Sequence, residues 1–299
     1  MRTLLRLLSR FVAFLPLGVA LWLGRAWGFF FARIVRRRRS EILEALARSL
    51  PDKTPAERNR IATLAYENSG MVAIEVLRMA MEPISALPGR VDPGTTFEAI
   101  RRETKDGKGM LLISAHLDNW EVLAAATAAS GISTAIVVKS LKPPSLNDFI
   151  IHARERYGTV VLQRKGAMRA IIRHLRNGGV LGFMMDQNTK RNEGVFVDFF
   201  DRPACTTLGL AQLAVMTGVR AMPVFLVRKS GGQHLMIHGD PIDPPADLSE
   251  AEVTRYTQKA VDSVAAAVRA HPEQWIWMHR RWRTQPLPDE SPPPVRVES

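Results

Sequence analysis

Cysteine is nearly absent from this chain. The single one, Cys205, rules out an internal disulfide framework and the cysteine-rich zinc motifs. No histidine is spaced to activate it, so it reads as a small buried filler rather than a nucleophile. Also missing are the G-x-S-x-G elbow of serine hydrolases and the G-x-x-x-x-G-K-[ST] phosphate loop. Gly178-Gly179-x-x-Gly182 runs from a helix into a strand, the reverse of a dinucleotide fingerprint, and reads as a helix stop. His234 and His238 stand four apart in a strand-like segment without a third ligand, which argues against zinc. Neither a metal nor a cofactor is therefore expected.

Acidic residues are missing from the first 40 positions, which hold nine arginines. Of the net charge of +12, the other 259 residues carry only +3, so the basic character belongs to the N-terminus and not to a nucleic-acid-binding surface. Phe11 to Leu23 is an uninterrupted apolar run, and Arg25 is the only charge between Phe11 and Ala32. Such a segment of about 22 residues can span a bilayer. The breakers Pro16, Gly18, Gly24 and Gly28 leave a broken, interfacial helix as the competitor. The block Arg36–Arg39 opposes translocation, and no signal-peptide cleavage site follows it. By the positive-inside rule the body then lies on the cytoplasmic side. Anionic headgroups would hold such arginines at about 1 kcal/mol each.

Four segments are expected: 1–39 a membrane anchor with a basic flank, 40–95 a helical extension, 96–284 an α/β catalytic domain, and 285–299 a proline-rich disordered tail. Thr54-Pro55-Ala56-Glu57 is a capping box that opens a helix reaching about Met81. Prolines and glycines between Pro83 and Gly94 then break regular structure. Strand-like and helical stretches alternate from Met110–Ala115 through Ala221–Arg228. These include a helix over Thr206–Thr217 and a hairpin partner at Gln233–His238. Ser249-x-x-Glu252 caps a last helix. This alternation predicts an α/β fold with a mixed sheet layered by helices.

The chemistry concentrates in Ser114-Ala115-His116-Leu117-Asp118-Asn119-Trp120-Glu121. His116 falls at the C-terminal end of an expected buried strand, where open α/β sheets place ligand sites. Glu121 falls in the first turn of the next helix, and across a strand-to-helix turn the two can meet. A carboxylate on one ring nitrogen fixes the tautomer and leaves the other to take a proton from a hydroxyl. The alternative is a capping-box-like Asp118-x-x-Glu121 beside a satisfied core histidine.

Ile113–Glu121 resembles the H-x4-[DE] signature of the lysophospholipid acyltransferase superfamily. More narrowly it resembles the lipid A biosynthesis lauroyl/myristoyl acyltransferase family, whose members often read His-x-Gly-Asn-Trp-Glu here. Asp118 stands in place of that glycine. The resemblance extends through Gln163–Arg169, Met185-Asp186-Gln187, Gly194–Phe200, Arg202-Pro203-Ala204, Met222-Pro223-Val224 and Trp275–Trp282. It implies a glycerol-phosphate-acyltransferase-like fold with His116 as general base and Glu121 orienting it. It also implies Asn119, Arg164, Asp186 and Gln187 around the substrate, with Arg164 near a phosphate or the reaction centre. The implied donor is an acyl carrier protein thioester, or acyl-CoA. The implied acceptor is a lipid A-type glycolipid at the bacterial inner membrane, among membrane lipids and without nucleic acid. A phosphatidylinositol mannoside, lysophospholipid or ornithine lipid is an alternative acceptor. A non-catalytic protein binding anionic membranes is the rival of another class. Trp275, Trp277 and Trp282 with Arg280, Arg281 and Arg283 suit an interfacial aromatic-basic belt or a local structural helix.

Overall fold

A computed structural model describes residues 2–287; most of the tail expected from 285 onward lies outside them. The N-terminal apolar run is not one helix. It is divided into α1 (Arg2–Phe14) and α2 (Leu17–Phe30) at Pro16, which lacks an N–H and disfavours helix in the residue before it. Arg78 covers the break by donating through Nη1 to the carbonyls of Val12 (2.6 Å) and Leu15 (2.7 Å). A π-helical turn, Phe31–Val35, leads to α3 (Arg39–Ser49) and α4 (Pro55–Met79). The start of α4 is the expected capping box. Glu57 N–H donates to Thr54 Oγ1, and Thr54 N–H donates to Glu57 Oε2.

Helix α2 lies against α4 at backbone contact distance. A side-chain carbon added at Gly24, Gly28 or Gly70 would collide with backbone of the facing helix, which is why glycine stands at all three. The other flank of α2 and of α1 is uncovered, with Leu4, Leu7, Phe11, Phe14, Trp22, Trp27 and Phe30 all exposed. Leu17–Val35 is long and apolar enough to cross a bilayer by length and composition.

The rest of the chain forms β1 (Val91–Asp92), α5 (Thr96–Thr104), β2 (Met110–Ser114), α6 (Trp120–Ala129), β3 (Thr134–Val138), α7 (Pro144–Glu155), β4 (Val160–Gln163), α8 (Met168–Arg176) and β5 (Val180–Met184). There follow β6 (Gly194–Asp198), β7 (Pro203–Thr207), α9 (Gly209–Thr217), β8 (Ala221–Arg228), β9 (His234–His238) and α10 (Glu250–Ala270). Seven strands make one sheet in the order β1-β9-β8-β2-β5-β3-β4. β2, β3, β4, β5 and β8 run parallel, whereas β9 is antiparallel to β8 and carries β1 alongside it. Both faces are covered, so the central strands read as continuous apolar runs. Leu111 and Ile113 pack with Ile171, Leu175, Leu210, Val261 and Val264 of α8, α9 and α10. Met110 and Leu112 pack with Ile100, Val122 and Ala126 of α5 and α6.

Two expectations are corrected. Thr206 and Thr207 belong to β7, which pairs antiparallel with β6 in a separate hairpin, so the helix expected from Thr206 begins only at Gly209. Ser249 precedes α10 but makes no side-chain cap, and the reciprocal half of the box is absent too, since Ser249 N–H donates to Asp247 and Glu252 is taken by the Ala246 N–H and by Arg255.

Candidate active site

Strand register builds the site. β2 and β5 are parallel neighbours with Ser114 opposite Met184, and Met185 N–H donates to Ser114 O. Two residues further along each chain stand His116 and Asp186, so the pairing that sets the core also sets these two side by side. The chain leaves β2 for α6 on one face and β5 for α9 on the other. This divergence at a switch point is what opens a crevice beyond the strand ends.

His116 Nδ1 lies 2.9 Å from Asp186 Oδ1. Asp186 Oδ2 accepts from the His116 backbone N–H (2.8 Å) and from Trp275 Nε1–H (2.9 Å). The carboxylate is 1% exposed. Burial alone would raise its pKa, but the charge and hydrogen bond of His116 and the Trp275 N–H outweigh that and hold it at about 2. Burial likewise works against the charged imidazole. Asp186, with a smaller contribution from Glu121, prevails and keeps His116 above its ordinary value.

Glu121 is therefore not the hydrogen-bonding partner of His116, as the motif suggested. Arg154 of α7 grips Glu121 through two bonds, Nε–H to Oε2 (2.7 Å) and Nη2–H to Oε1 (2.5 Å), and Trp120 Nε1–H adds a third. The reason is geometric. Trp120 and Glu121 open α6, whose first turn carries Glu121 toward α7, while the neighbouring strand end supplies the nearer carboxylate. The Asp118 cap is corrected too. Asn119 caps α6, accepting from the N–H groups of Glu121 and Val122 and donating to Glu75 Oε2 (2.8 Å). Fully buried and so engaged, Asn119 faces Glu75 and the helix start rather than either cavity that opens at His116.

Two cavities meet at His116, Trp120 and Glu121. The larger, about 890 Å³, runs over the ends of β2, β3 and β5 and has Arg154, Arg164, Lys139, Gln187 and Asn188 among its walls. Arg164 stands exposed at its rim, paired with Glu193 at 2.7 Å. Gln187 Nε2 lies 3.2 Å from His116 Nε2 and fits as a donor to that nitrogen when the proton sits on Nδ1. The smaller, about 440 Å³, is almost wholly apolar, walled by Leu5, Leu8, Val72, Leu77, Phe149 and Ile276 from α1, α4, α7 and the C-terminal segment. Of the six site residues expected, the structure brings His116, Glu121, Asp186, Arg164 and Gln187 to these cavities or directly beneath them.

The C-terminal segment is neither the expected belt nor a helix beyond Gln274. Trp275 and Trp277 are buried and Arg281 is wholly so, hence they are no membrane belt. Residues 274–284 cross both site loops. Asp118 N–H donates to Gln274 O, Ile276 N–H to His116 O, and Asn188 N–H to His279 Nε2. Arg281 donates to the carbonyls of Gln187 and Cys205. Burial lowers its pKa to about 10. A tryptophan followed by an unpaired-looking arginine carries no period that marks such a clasp, so sequence alone offered no signal for it.

An open, mostly parallel sheet with a histidine–carboxylate pair at its strand ends is the α/β architecture in which ligands bind in the crevice beyond those ends. The profile of the family described as bacterial lipid A biosynthesis acyltransferase matches residues 4–284, and the chain belongs to that family. It is 27% identical over 275 residues to the lipid A biosynthesis lauroyltransferase of Escherichia coli (strain K12), covering 91% of this chain and 88% of that one. It is 30% identical over 180 residues to the phosphatidylinositol mannoside acyltransferase of Mycobacterium tuberculosis (strain CDC 1551 / Oshkosh). That match covers 59% of this chain, and the chain spans just over half (55%) of that relative's length. Among solved structures, the 1-acyl-sn-glycerophosphate acyltransferase of Thermotoga maritima aligns with 15% identity and a TM-score of 0.37, covering 85% of this chain and 99% of that one.

Proposed function

We propose that this protein transfers a fatty acyl chain from a carrier thioester to a hydroxyl of a lipid A-type glycolipid at the cytoplasmic face of the bacterial inner membrane. The observation that carries the reading is the His116 ring, fixed by Asp186 on one nitrogen and standing where an apolar cavity joins a larger one with Arg154, Arg164 and Lys139 among its walls. A non-catalytic membrane binder has no need of a buried carboxylate–imidazole pair opening on such a cleft.

In the mechanism, Asp186 keeps the proton on Nδ1, so Nε2 accepts the proton of the acceptor hydroxyl. The alkoxide-like oxygen attacks the thioester carbonyl. Collapse of the tetrahedral oxyanion breaks the C–S bond, and the departing thiolate takes the proton back from His116. No acyl-enzyme is required. Gln187 gives up its bond to Nε2 when the acceptor hydroxyl takes that place, and is then a donor for the developing oxyanion. Arg154, locked by Glu121, and Arg164 at the rim supply positive charge for a phosphate of the acceptor. Glu121 thus acts by holding Arg154 and by its field on His116. The apolar cavity suits the acyl chain, and an acyl carrier protein thioester is the donor we favour over acyl-CoA.

The exposed apolar flank of α1 and α2, with α2 fastened to α4, supports a chain that lies in the membrane interface. A phosphatidylinositol mannoside acceptor is the second reading, favoured by the 30% match. Full-length protein and its His116→Ala variant, incubated with acyl carrier protein thioester and each acceptor, are compared by mass spectrometry of the lipids. Gain of one acyl chain on the lipid A precursor, lost in the variant, is the expected result. Gain only on the mannoside transfers the reading to that lipid, and full activity of His116→Ala refutes the mechanism.

A further inference from the structure

Directly beneath the His116 loop lies a sealed cluster of four ionisable groups that the proposed chemistry does not use. Glu75 of α4, Asp118 of the loop and His234 of β9 are each buried, and Arg228 of β8 is nearly so. Arg228 binds Glu75 through both terminal nitrogens (2.9 and 2.7 Å) and reaches Asp118 Oδ1 at 2.7 Å. His234 Nδ1 lies 2.6 Å from Asp118 Oδ2, and its Nε2 lies 3.1 Å from Glu75 Oε1.

Two features single out Asp118. Its φ is +44°, in the left-handed region that favours glycine, which accounts for the glycine common at this place in the family it resembles. Secondly, both nitrogens of the His234 ring face carboxylate oxygens. Acceptors on both sides need donors on both nitrogens, so the ring fits only as imidazolium. Asp118 and Glu75 then balance Arg228 and His234 charge for charge.

We infer that Asp118 is a positioning residue: through Arg228 and a protonated His234 it holds the His116 loop in its left-handed turn, making acyl transfer depend on the His234 proton. The inference rests on the proposed role of His116. The groups facing His234 are Asp118 from the loop and Glu75 from α4, with Arg228 on the far side of both carboxylates. Burial opposes the charge on His234, but the two carboxylates prevail and hold its pKa above the ordinary value. As pH rises through that value the proton leaves, one nitrogen lone pair then faces a carboxylate, and the cluster is left with net negative charge. The strain falls on a residue two positions from His116.

The test uses the full chain in micelles, with kcat and KM followed along both limbs of the pH profile for wild type, D118N and H234Q. Asparagine tolerates the left-handed turn and keeps an acceptor, but removes one charge. Its alkaline half-point should fall by about one pH unit, a tenfold change in proton affinity, while the acid limb set by His116 stays put. H234Q should lower kcat and lose the alkaline limb altogether. Nitrogen-15 spectra of the labelled histidines provide a readout independent of turnover. They should show His234 as imidazolium through neutral pH in wild type and titrating earlier in D118N. An unmoved alkaline limb in D118N, or a neutral His234 at neutral pH, overturns the inference. Loss of the proposed His116 role would instead show as activity surviving in His116→Ala, with the His234 titration unaffected.

Discussion

Asp186→Asn separates the two tasks assigned to that carboxylate. In the native site it accepts three hydrogen bonds, from the His116 ring, the His116 backbone and Trp275. Asparagine has one carbonyl oxygen, which can serve the two N–H groups now on Oδ2. Its amide then turns toward Nδ1, which must become the acceptor. The proton moves to Nε2, and the base is presented in the wrong tautomer. General-base catalysis contributes about 10²- to 10⁴-fold, so kcat should fall by about 10³-fold with KM little changed. Stability changes as well. A carboxyl held at about 2 instead of the ordinary 3.8 is stabilising above the ordinary value, and that contribution is lost as pH falls through about 2. Removing it is therefore destabilising at neutral pH, on the order of a few kcal/mol. The sign for His116 is opposite. Its raised pKa is stabilising below the ordinary histidine value and is lost as pH rises through the folded one. Residual activity of Asp186→Asn should therefore keep its acid limb at lower pH than wild type. The assay is acyl transfer into lipid across pH, paired with thermal unfolding in detergent. A kcat within threefold of wild type would refute the tautomer argument.

Further perturbations test other parts. Glu121→Ala and Arg154→Ala should each lower kcat/KM, and the double variant should lose no more than the worse single one, since the bidentate pair acts as a unit; additive losses in the cycle would contradict this. Trp275→Phe removes one N–H from the buried Asp186, which costs about 1–3 kcal/mol. With one donor fewer the carboxylate holds the His116 proton more strongly, so the acid limb should shift upward, read from the pH–rate profile. Gly28→Leu sets a side chain against the backbone at Tyr66 and Glu67, and it should lower Tm by several degrees and loosen α2, seen as faster proteolysis near Pro16. Unchanged melting would show that the close approach of α2 and α4 is dispensable.

Much of this was legible because it follows local rules. The capping box at Thr54, the apolar runs at Met110 and Val180, and the glycine stop after Thr217 name their elements through pattern alone. His116 and Asp186 could be placed at strand ends for the same reason. Their partnership could not, because it depends on β5 lying next to β2, a tertiary pairing across 70 residues. Glu121 is close to His116 in sequence and matches the motif, but the arginine that claims it comes from α7, which no local pattern announces. The composition around Trp275 and Arg281 suits a belt or a local structural helix equally; only their contacts show why such bulk is buried. The split at Pro16 was foreseeable from proline, but Arg78 filling the break was not.

The clasp of residues 274–284 has a consequence for how the protein comes into being. Synthesis runs from the N-terminus, so the amphipathic first helices are made first and are free to meet the membrane early. The histidine and its carboxylate follow, yet the indole that binds Asp186 and the backbone that pairs with His116 and Asp118 are made only after both. A chain made only as far as Asp186 thus has the histidine and its carboxylate but not the segment that clasps them. Truncation ahead of Trp275 should yield a membrane-bound protein without turnover.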